Sequence, residues 1–206
     1  MGSGEMELFP AGSSVNLLPE DGSVRYFGTI LERGGTELMA RLLEETPWAP
    51  DELVMFGKRI TTKREVAWMG DEGFCYRYSG TEKVAAPWSP AVQESRELIE
   101  AKLERSFNSC LLNLYHDGGE GMGWHSDDEP ELEPDAPIAS LSLGAERRFR
   151  FRHKESRRTV DVVLEPGSLL VMEGETQRFW QHSLPKTTKV KEPRVNLTFR
   201  VFRRPG

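Results

Sequence analysis

The chain has 206 residues, of which 37% are hydrophobic and 29% charged, fractions that are typical of a soluble globular protein. No apolar run approaches the roughly 18 residues of a membrane-spanning helix, and the N-terminus lacks the basic and apolar regions of a signal peptide. Cys75 and Cys110 are far apart, which excludes a disulfide framework and a cysteine-based metal site. We therefore expect an intracellular protein, cytoplasmic in a bacterium or nuclear in a eukaryote.

The net charge of −6 argues against a nucleic-acid partner, but the charges are unevenly distributed. Residues 144–206 carry 15 Lys and Arg against 7 Asp and Glu, so this end of the chain is basic and the remainder is acidic. A local basic patch can bind phosphates even in an acidic protein. Arginines on solvated strand faces would give the same composition, so charge alone leaves both interpretations open.

The N-terminal half has a polar stretch first and then helical and extended segments. Residues 1–25 are rich in Gly, Ser, Pro and acidic residues and predict a flexible arm, with a single domain over 26–206. An apolar stripe predicts a helix over 36–45, with Thr36 as its N-cap. The next predicted elements are strands over 53–57 and 74–78 and a second helix over 90–107.

From Cys110 onward the pattern becomes that of a β protein. The candidate strands are 110–115, 138–143, 147–152, 159–164, 168–173 and 194–202. Many short strands separated by Pro and Gly are typical of a sandwich or jelly roll. The sequence therefore predicts an α+β domain, with the helices in 26–109 and the β core in 110–206.

Two histidines and one carboxylate form a candidate metal site. In extended backbone, residues i and i+2 point to the same side, so His125 and Asp127 can offer an imidazole and a carboxylate to one ion. His182 lies at the edge of a later strand. Two His and one carboxylate leave the opposite coordination positions open, which suits non-haem Fe(II). The alternatives are a surface turn at His125 and a structural, hydrogen-bonded role for His182.

A polar row marks one face of the last strand. Arg194, Asn196 and Arg200 alternate with apolar residues, and at 3.3 Å per residue the two arginine Cα atoms are about 20 Å apart. Their side chains can converge on a small dicarboxylate such as 2-oxoglutarate, which the guanidinium fork matches bidentately. Asn113 and Tyr115 form a similar row on an earlier strand. Alternatively, both rows face water on a one-sided sheet.

These residues resemble the AlkB family of DNA and RNA dealkylating dioxygenases, and especially its duplex-DNA repair subgroup. The resemblance covers roughly residues 53–202. The segments that carry it are NLY (113–115), DG (117–118), HSDDE (125–129), IASLSLG (138–144), FRHK (151–154), GSLLVM (167–172), HSLP (182–185) and RVNLTFR (194–200). The order and spacing of so many segments make a chance match implausible.

The resemblance implies a double-stranded β-helix, or jelly-roll, core with flanking N-terminal helices and a nucleotide-recognition hairpin region. It implies Fe(II) on the two histidines and the aspartate of the candidate metal site. It further implies that Arg194, with Tyr115 and Asn196, holds the distal carboxylate of 2-oxoglutarate. Arg200, with Asn113, would hold the carboxylate next to the keto group.

The activity that the resemblance implies is oxidative dealkylation of N-alkylated bases in DNA or RNA, giving succinate, CO2 and an aldehyde. A monomer without membrane contact is expected. Tyr78 and His125 resemble the pair that encloses the damaged base, although Tyr78 and Trp124 depart from the duplex-repair pattern. The pocket-edge residues implied in the same way are Tyr76, Ser79, Asp128 and Glu129. Met55 and Phe56 resemble an apolar wedge that enters the base stack, and a buried strand end is the alternative.

Two rival functions remain open at this point. A 2-oxoglutarate dioxygenase that acts on a protein or a lipid would have the same metal site and arginine row. A nucleic-acid binding module without catalysis is disfavoured, because all three metal ligands and both arginines are present.

Overall fold

The computed structural model describes residues 15–55, 58–72, 74–78 and 81–203. Side chains are described for these residues except 34, 53–60 and 75–83. The strands are β1 (Ser23–Thr29), β2 (Ala49–Met55), β3 (Lys58–Gly70), β4 (Cys75–Tyr78), β5 (Thr81–Val84), β6 (Ser109–Tyr115), β7 (Met122–His125), β8 (Ile138–Gly144), β9 (Arg147–His153), β10 (Thr159–Leu164), β11 (Ser168–Glu173), β12 (Trp180–Leu184) and β13 (Arg194–Arg200). The helices are a 3-10 turn (Glu32–Gly35), α1 (Thr36–Glu45), α2 (Pro90–Leu103) and a short α3 (Thr176–Phe179).

The described strands pair in three antiparallel sheets. The large sheet has the order β1-β11-β8-β13-β6-β3-β2, and the small sheet has the order β10-β9-β12-β7. A separate hairpin joins β4 and β5. Non-consecutive strands are neighbours in both larger sheets, as in a jelly roll, so the predicted double-stranded β-helix core is confirmed.

The helices cover the outer face of the large sheet. Leu42 of α1 and Ile99 of α2 belong to one apolar cluster with Leu112, Leu141 and Leu197 of the sheet. Each such fully buried side chain contributes about 1.5–3 kcal/mol of hydrophobic stabilisation. The helices therefore seal one face of the sheet and leave its other face for the small sheet.

Every residue of the central strand β13 is buried. Its apolar residues Val195, Leu197 and Phe199 belong to the cluster under the helices. Because successive side chains of a strand point to opposite faces, the alternate polar residues face the small sheet. The strand therefore carries a buried polar row, and the interpretation that this row faces water is wrong.

Both predicted helices are present, with differences at their ends. Helix α1 spans the predicted residues, but Gly35 with a φ of 70° precedes it as N-cap, and the Thr36 hydroxyl donates to the Arg33 carbonyl at 3.1 Å. The predicted Thr36 cap is wrong because a 3-10 turn feeds directly into the helix. Helix α2 begins after Ser89, whose hydroxyl accepts from an N–H of the first turn, and ends before Glu104 in a left-handed conformation. It therefore stops short of residue 107.

Residues 15–25 of the predicted N-terminal arm belong to the folded domain. Leu17 and Leu18 are buried against the core, and β1 begins at Ser23. The side chain of Asn16 accepts hydrogen bonds from the backbone N–H groups of Leu18 and Val24 at 3.0 and 2.8 Å. The polar and glycine residues here therefore build a turn into β1. Residues 1–14 lie outside the described residues.

Within the described residues, no helix has the length and apolar character needed to cross a membrane.

Cys110 is a free, fully buried thiol, and burial raises its pKa. The thiol is thus unreactive and serves as part of the core.

Candidate active site

The three predicted metal ligands come together where β7 lies beside β12. His182 is the direct cross-strand partner of His125, and their ring centroids are 4.2 Å apart. Oδ1 of Asp127 lies 3.8 Å from Nε2 of His125 and 3.9 Å from Nε2 of His182. One donor atom from each residue lies within 4.8 Å of the other two. This donor set fits Fe(II) and leaves coordination positions open.

The surroundings fix the orientation of these side chains. Nδ1 of His125 lies 2.9 Å from the carbonyl oxygen of Gly123. A carbonyl only accepts, so Nδ1 carries the proton and Nε2 keeps its lone pair for a metal. The backbone N–H of Asp127 donates to the Gln177 side chain at 2.9 Å and holds the carboxylate in the same place.

Electrostatics prepare the cluster for a cation. Burial lowers the pKa of the His182 imidazole to about 3, so this ring is neutral at physiological pH. Burial raises the pKa of the Asp127 carboxyl, but the Arg200 guanidinium and the two imidazoles outweigh burial and hold that pKa below its usual value. Metal binding requires neutral imidazoles and an ionised carboxylate, and at His182 and Asp127 the fold supplies these states before a metal arrives.

The predicted arginine row is buried beside this cluster. Arg194 is 1% exposed and Arg200 is 7% exposed, although a cation is rarely buried without compensation. Asn113 and Tyr115 are also buried and lie on β6, where Asn113 is the cross-strand partner of Asn196. The structure therefore brings all five predicted cosubstrate residues to adjacent strands of one sheet.

Arg194 makes several contacts and still has an unsatisfied donor. Its Nη2 donates to Ser142 at 2.9 Å and to Asn196 at 2.6 Å, and its guanidinium lies 5.5 Å from the centre of the Tyr115 ring. Burial lowers the pKa of Arg194 to about 10, so it remains charged at neutral pH. Its Nε is buried and has no hydrogen-bond partner among the described residues. A buried cation with a spare donor favours an anionic ligand.

Arg200 links the arginine row to the metal cluster. Its Nη2 lies 2.9 Å from Oδ1 of Asp127, and its Nη1 lies 3.3 Å from Oε1 of Glu129. Glu129 was implied as a pocket-edge residue for substrate, and here it pairs with this arginine. Arg200 therefore sits between two carboxylates, within reach of the predicted metal.

A cavity of about 60 Å³ joins the two groups. Its lining comprises Leu111, Asn113, Tyr115, Met122, His125, Asp127, Ser140, Phe149, Met172, His182, Leu184, Arg194, Asn196, Thr198 and Arg200. The polar residues come from both sheets, with the metal cluster on the small sheet side and the arginine row on the large sheet. One end of the cavity is therefore suited to a cation and the remainder to an anion.

Sequence reasoning missed several residues of this cavity. Ser140 and Ser142 alternate on β8 and hydrogen-bond the amide and guanidinium of the polar row. Their alternation inside an apolar segment was a detectable signal. Phe149, whose ring lies 5.4 Å from that of His182, gave no such signal, because an aromatic on a strand is usually simple packing.

Among the described residues, the structure does not bring together in one cavity those that the resemblance implies for substrate binding. Asp128 is exposed, and with Glu129 it lines a separate cavity of about 270 Å³ on the other side of Asp127. Phe56 and Ser79 lie outside the described residues. Met55 ends β2 and Tyr76 and Tyr78 lie on β4, but their side chains are not described.

Much of the basic stretch on β9 is engaged within the molecule. Arg147 is buried, and its guanidinium donates to the carbonyl groups of Glu120 and Pro185 at 2.8 and 2.9 Å. Arg150 pairs with Asp161 at 2.7 Å. The positive charge of this stretch is thus only partly available to phosphates.

The fold and the site define an oxygenase class, and comparison with known proteins agrees. The sequence profile of the 2OG-Fe(II) oxygenase superfamily matches residues 25–200, and the chain belongs to this superfamily. Members use Fe(II) and 2-oxoglutarate, for which the cavity has matching donors. The resemblance to the AlkB family is confirmed by the relatives ALKBH2 and alkB homolog 3, which are AlkB homologues.

The chain is 46% identical over 154 residues to the DNA oxidative demethylase ALKBH2 of Mus musculus, covering 71% of this chain and 64% of the relative. It is 37% identical over 207 residues to the alpha-ketoglutarate-dependent dioxygenase alkB homolog 3 of Homo sapiens, covering 95% of this chain and 69% of the relative. The chain thus spans about 64% of the length of mouse ALKBH2. A solved structure described as that of OsALKBH1 shares the fold, with a TM-score of 0.57 at 18% identity over 94% of this chain and all of that one.

Proposed function

We propose that this chain is an Fe(II)- and 2-oxoglutarate-dependent dioxygenase that removes alkyl groups from N-alkylated bases in DNA, with RNA as a further substrate. The products would be succinate, CO2 and an aldehyde. The observation that carries the proposal is the single cavity shared by the His-Asp-His cluster and two buried arginines. The names of the relatives ALKBH2 and alkB homolog 3 support the reaction and the DNA substrate.

In this proposal, His125, Asp127 and His182 hold the iron. Bound Fe(II) would supply the oxidising chemistry with O2, which the protein side chains lack. The cluster lies at one end of the cavity, so iron there would be close to any ligand bound along the arginine row. The carboxylate of Asp127 also orients Arg200 at 2.9 Å.

The arginine row holds the cosubstrate in this proposal. Arg194, with Tyr115 and Asn196, binds the distal carboxylate through the donors that remain after the contacts to Ser142 and Asn196. Arg200, with Asn113, binds the carboxylate next to the keto group. Two arginines at a fixed separation select a dicarboxylate of matching length, because each fork binds one carboxylate.

The base is held at the rim of the cavity. His125 is partly exposed at the end of β7, and Tyr78 of the β4-β5 hairpin would enclose the base against it. Tyr76, Ser79, Asp128 and Glu129 would contact the polar edge of the base. Met55, at the end of β2, and Phe56 would fill the space that the extruded base leaves.

The chain would act as a monomer inside the cell, where its nucleic-acid substrate is found, in the cytoplasm of a bacterium or the nucleus of a eukaryote.

A competition assay tests the substrate class. Methylated DNA, methylated RNA and a methylated peptide are supplied together with Fe(II), 2-oxoglutarate and O2, and demethylated products are measured by mass spectrometry. We expect loss of methyl groups from nucleic acid. Preferential reaction of the peptide, with succinate formed, would assign the chain to a protein-modifying oxygenase.

A further inference from the structure

A buried ion pair lies next to the cosubstrate residues without belonging to them. Arg64 on β3 is 5% exposed and Asp51 on β2 is 8% exposed. Nη2 of Arg64 lies 2.6 Å from Oδ2 of Asp51. Nη1 of the same guanidinium donates to Oδ1 of Asn113. Arg64 therefore connects the β2-β3 hairpin to an amide that lines the cavity.

Local strand geometry aims these side chains. The pairing of β2 with β3 is interrupted between Pro50 and Glu52, so Asp51 lies at a bulge. The Thr62 hydroxyl holds this bulge, since it accepts from the Asp51 backbone N–H at 3.2 Å and donates to the Arg64 carbonyl at 2.6 Å. Bulges re-aim side chains, and this one brings an acid and a base together.

The next strand places the amide beside the guanidinium. Val66 of β3 is the cross-strand partner of Asn113 on β6. Arg64 is two residues from Val66 along the strand, so it points to the same face and is a diagonal neighbour of Asn113. A long side chain reaches its diagonal neighbour, and the hydrogen bond follows from the register of the sheet.

This hydrogen bond determines which end of the Asn113 amide faces the cavity. An arginine only donates, so the group turned toward Arg64 must be the amide oxygen. The NH2 end of Asn113 is then left as a donor for the cavity. A carboxylate only accepts, so it requires that end of the amide. With the amide reversed, an oxygen would meet the carboxylate and repel it.

We propose that Arg64 is a positioning residue that acts through Asn113, holding its amide so that the NH2 group binds the carboxylate of 2-oxoglutarate. The proposal rests on the proposed function, since it takes Asn113 as a cosubstrate residue. Asp51 compensates the buried charge of Arg64, which would otherwise be a second cation competing for the same carboxylate. The strands β2 and β3 thus help to set the cosubstrate site.

The test measures 2-oxoglutarate binding without turnover. Calorimetric titration of 2-oxoglutarate into anaerobic, Fe(II)-loaded protein gives Kd, and steady-state assays give KM and kcat. The variant is the double change Asp51→Asn with Arg64→Met, because removal of both partners avoids an uncompensated buried charge. Thermal melting verifies that it folds. We expect Kd and the KM for 2-oxoglutarate to rise about tenfold, with kcat at saturation largely kept.

A double-mutant cycle separates positioning from a general structural effect. Asn113→Ala alone should weaken 2-oxoglutarate binding, and adding the Asp51/Arg64 changes to Asn113→Ala should weaken it no further. Arg64→Lys, which keeps a charged donor group but loses the fork, should recover part of the affinity. The control is Arg25→Met, which removes the 2.7 Å ion pair with Glu173 at the opposite edge of the same sheet and should leave Kd unchanged.

The outcomes distinguish the two proposals. If Asn113→Ala weakens binding and the Asp51/Arg64 variant binds normally, Arg64 has no positioning role and the proposed function stands. The positioning role would also be overturned if the losses of 2-oxoglutarate affinity in the double-mutant cycle were additive. A rise confined to the KM for the nucleic-acid substrate would overturn it as well. If the unaltered protein does not bind 2-oxoglutarate, the proposed function itself fails.

Discussion

At the scale of single residues, the Asp127 carboxylate is the point where the metal cluster and the arginine row meet. Its Oδ1 atom faces both imidazoles and lies 2.9 Å from Arg200. Removing one partner of a buried ion pair leaves the other charge uncompensated and costs about 3–5 kcal/mol. A truncation of Asp127 therefore perturbs stability as well as metal binding, and Asp127→Asn, which keeps the shape, reports more directly on the metal.

We predict that His125→Ala, Asp127→Asn and His182→Ala each abolish Fe(II) binding and product formation together, because three ligands are needed for a tight site. Iron content and demethylated product are measured on the same samples. His116→Ala is the matched control, since His116 is exposed between Glu65 and Glu120 and should keep both properties. Full activity of the His182→Ala protein with iron bound would remove His182 from the site.

We predict that Arg200→Lys raises the KM for 2-oxoglutarate about tenfold or more, because lysine keeps the charge but loses the fork, and a charged hydrogen bond contributes about 1.5–3 kcal/mol. Steady-state kinetics at fixed DNA concentration measure the change. Arg203→Lys, an exposed position just beyond the same strand, serves as the control and should leave KM unaltered. Equal KM values for the Arg200→Lys and unaltered proteins would mean that Arg200 does not contact the cosubstrate.

At the scale of elements, the β2-β3 hairpin extends beyond the region where β3 pairs with β6. β3 runs for 13 residues, and its C-terminal half pairs with β6 while its N-terminal half pairs only with β2. The described end of β2 is Met55, and Phe56 lies outside the described residues. The apolar wedge of Met55 and Phe56 therefore remains a prediction, which removal of the two side chains tests.

We predict that Met55→Ala with Phe56→Ala lowers activity on duplex DNA roughly tenfold or more and on single strands little, because only a duplex requires the few kcal/mol of unstacking that a wedge offsets. Product formation on matched duplex and single-stranded substrates measures the effect, and thermal melting should show little change. Leu98→Ala, a partly exposed apolar position on α2, is the control. Equal losses on both substrates, with a stability loss of about 2–5 kcal/mol, would place the pair in the core.

Strands with clear alternation were predictable, and those whose pattern depends on distant partners were not. β13 and β6 were predicted within a few residues because apolar and polar side chains alternate along them. β3 was missed, since its charged sequence has no apolar face of its own. Arg64 is buried only because Asp51 on β2 and Asn113 on β6 satisfy it, and no local signal shows such contacts.

The candidate site was predictable to a similar extent. His125 and Asp127 are close in sequence, so their shared orientation follows from strand geometry. The pairing of His182 with His125 requires the topology of the small sheet, which the family resemblance supplied and the strand pattern did not. The roles assigned to the metal, cosubstrate and substrate residues remain predictions for the experiments above.

At the scale of the whole molecule, electrostatics oppose nucleic-acid binding except where exposed cations are concentrated. The chain carries a net charge of −6, and the arginines of β9 are largely engaged by Asp161 and by backbone carbonyls. By contrast, Lys186, Lys189 and Lys191 are exposed in the segment between β12 and β13, directly after the strand that carries His182. Of the described cations, this group is therefore well placed to contact the backbone of a bound strand.

The last prediction follows from this distribution of charge. Replacing the three lysines with Gln should weaken binding to every DNA sequence alike and reduce the slope of log affinity against log salt by about 2 to 3, since each lost phosphate contact removes roughly 0.9 from the slope. Fluorescence anisotropy across a salt series measures this. The control removes an equal charge by Arg148→Gln, Arg150→Gln and Lys154→Gln. These residues already contact Asp161 and the Gln177 carbonyl, so that variant should keep most of its slope. If both triple variants lose the same slope, the total charge governs binding, and the lysine segment has no special position on the bound strand.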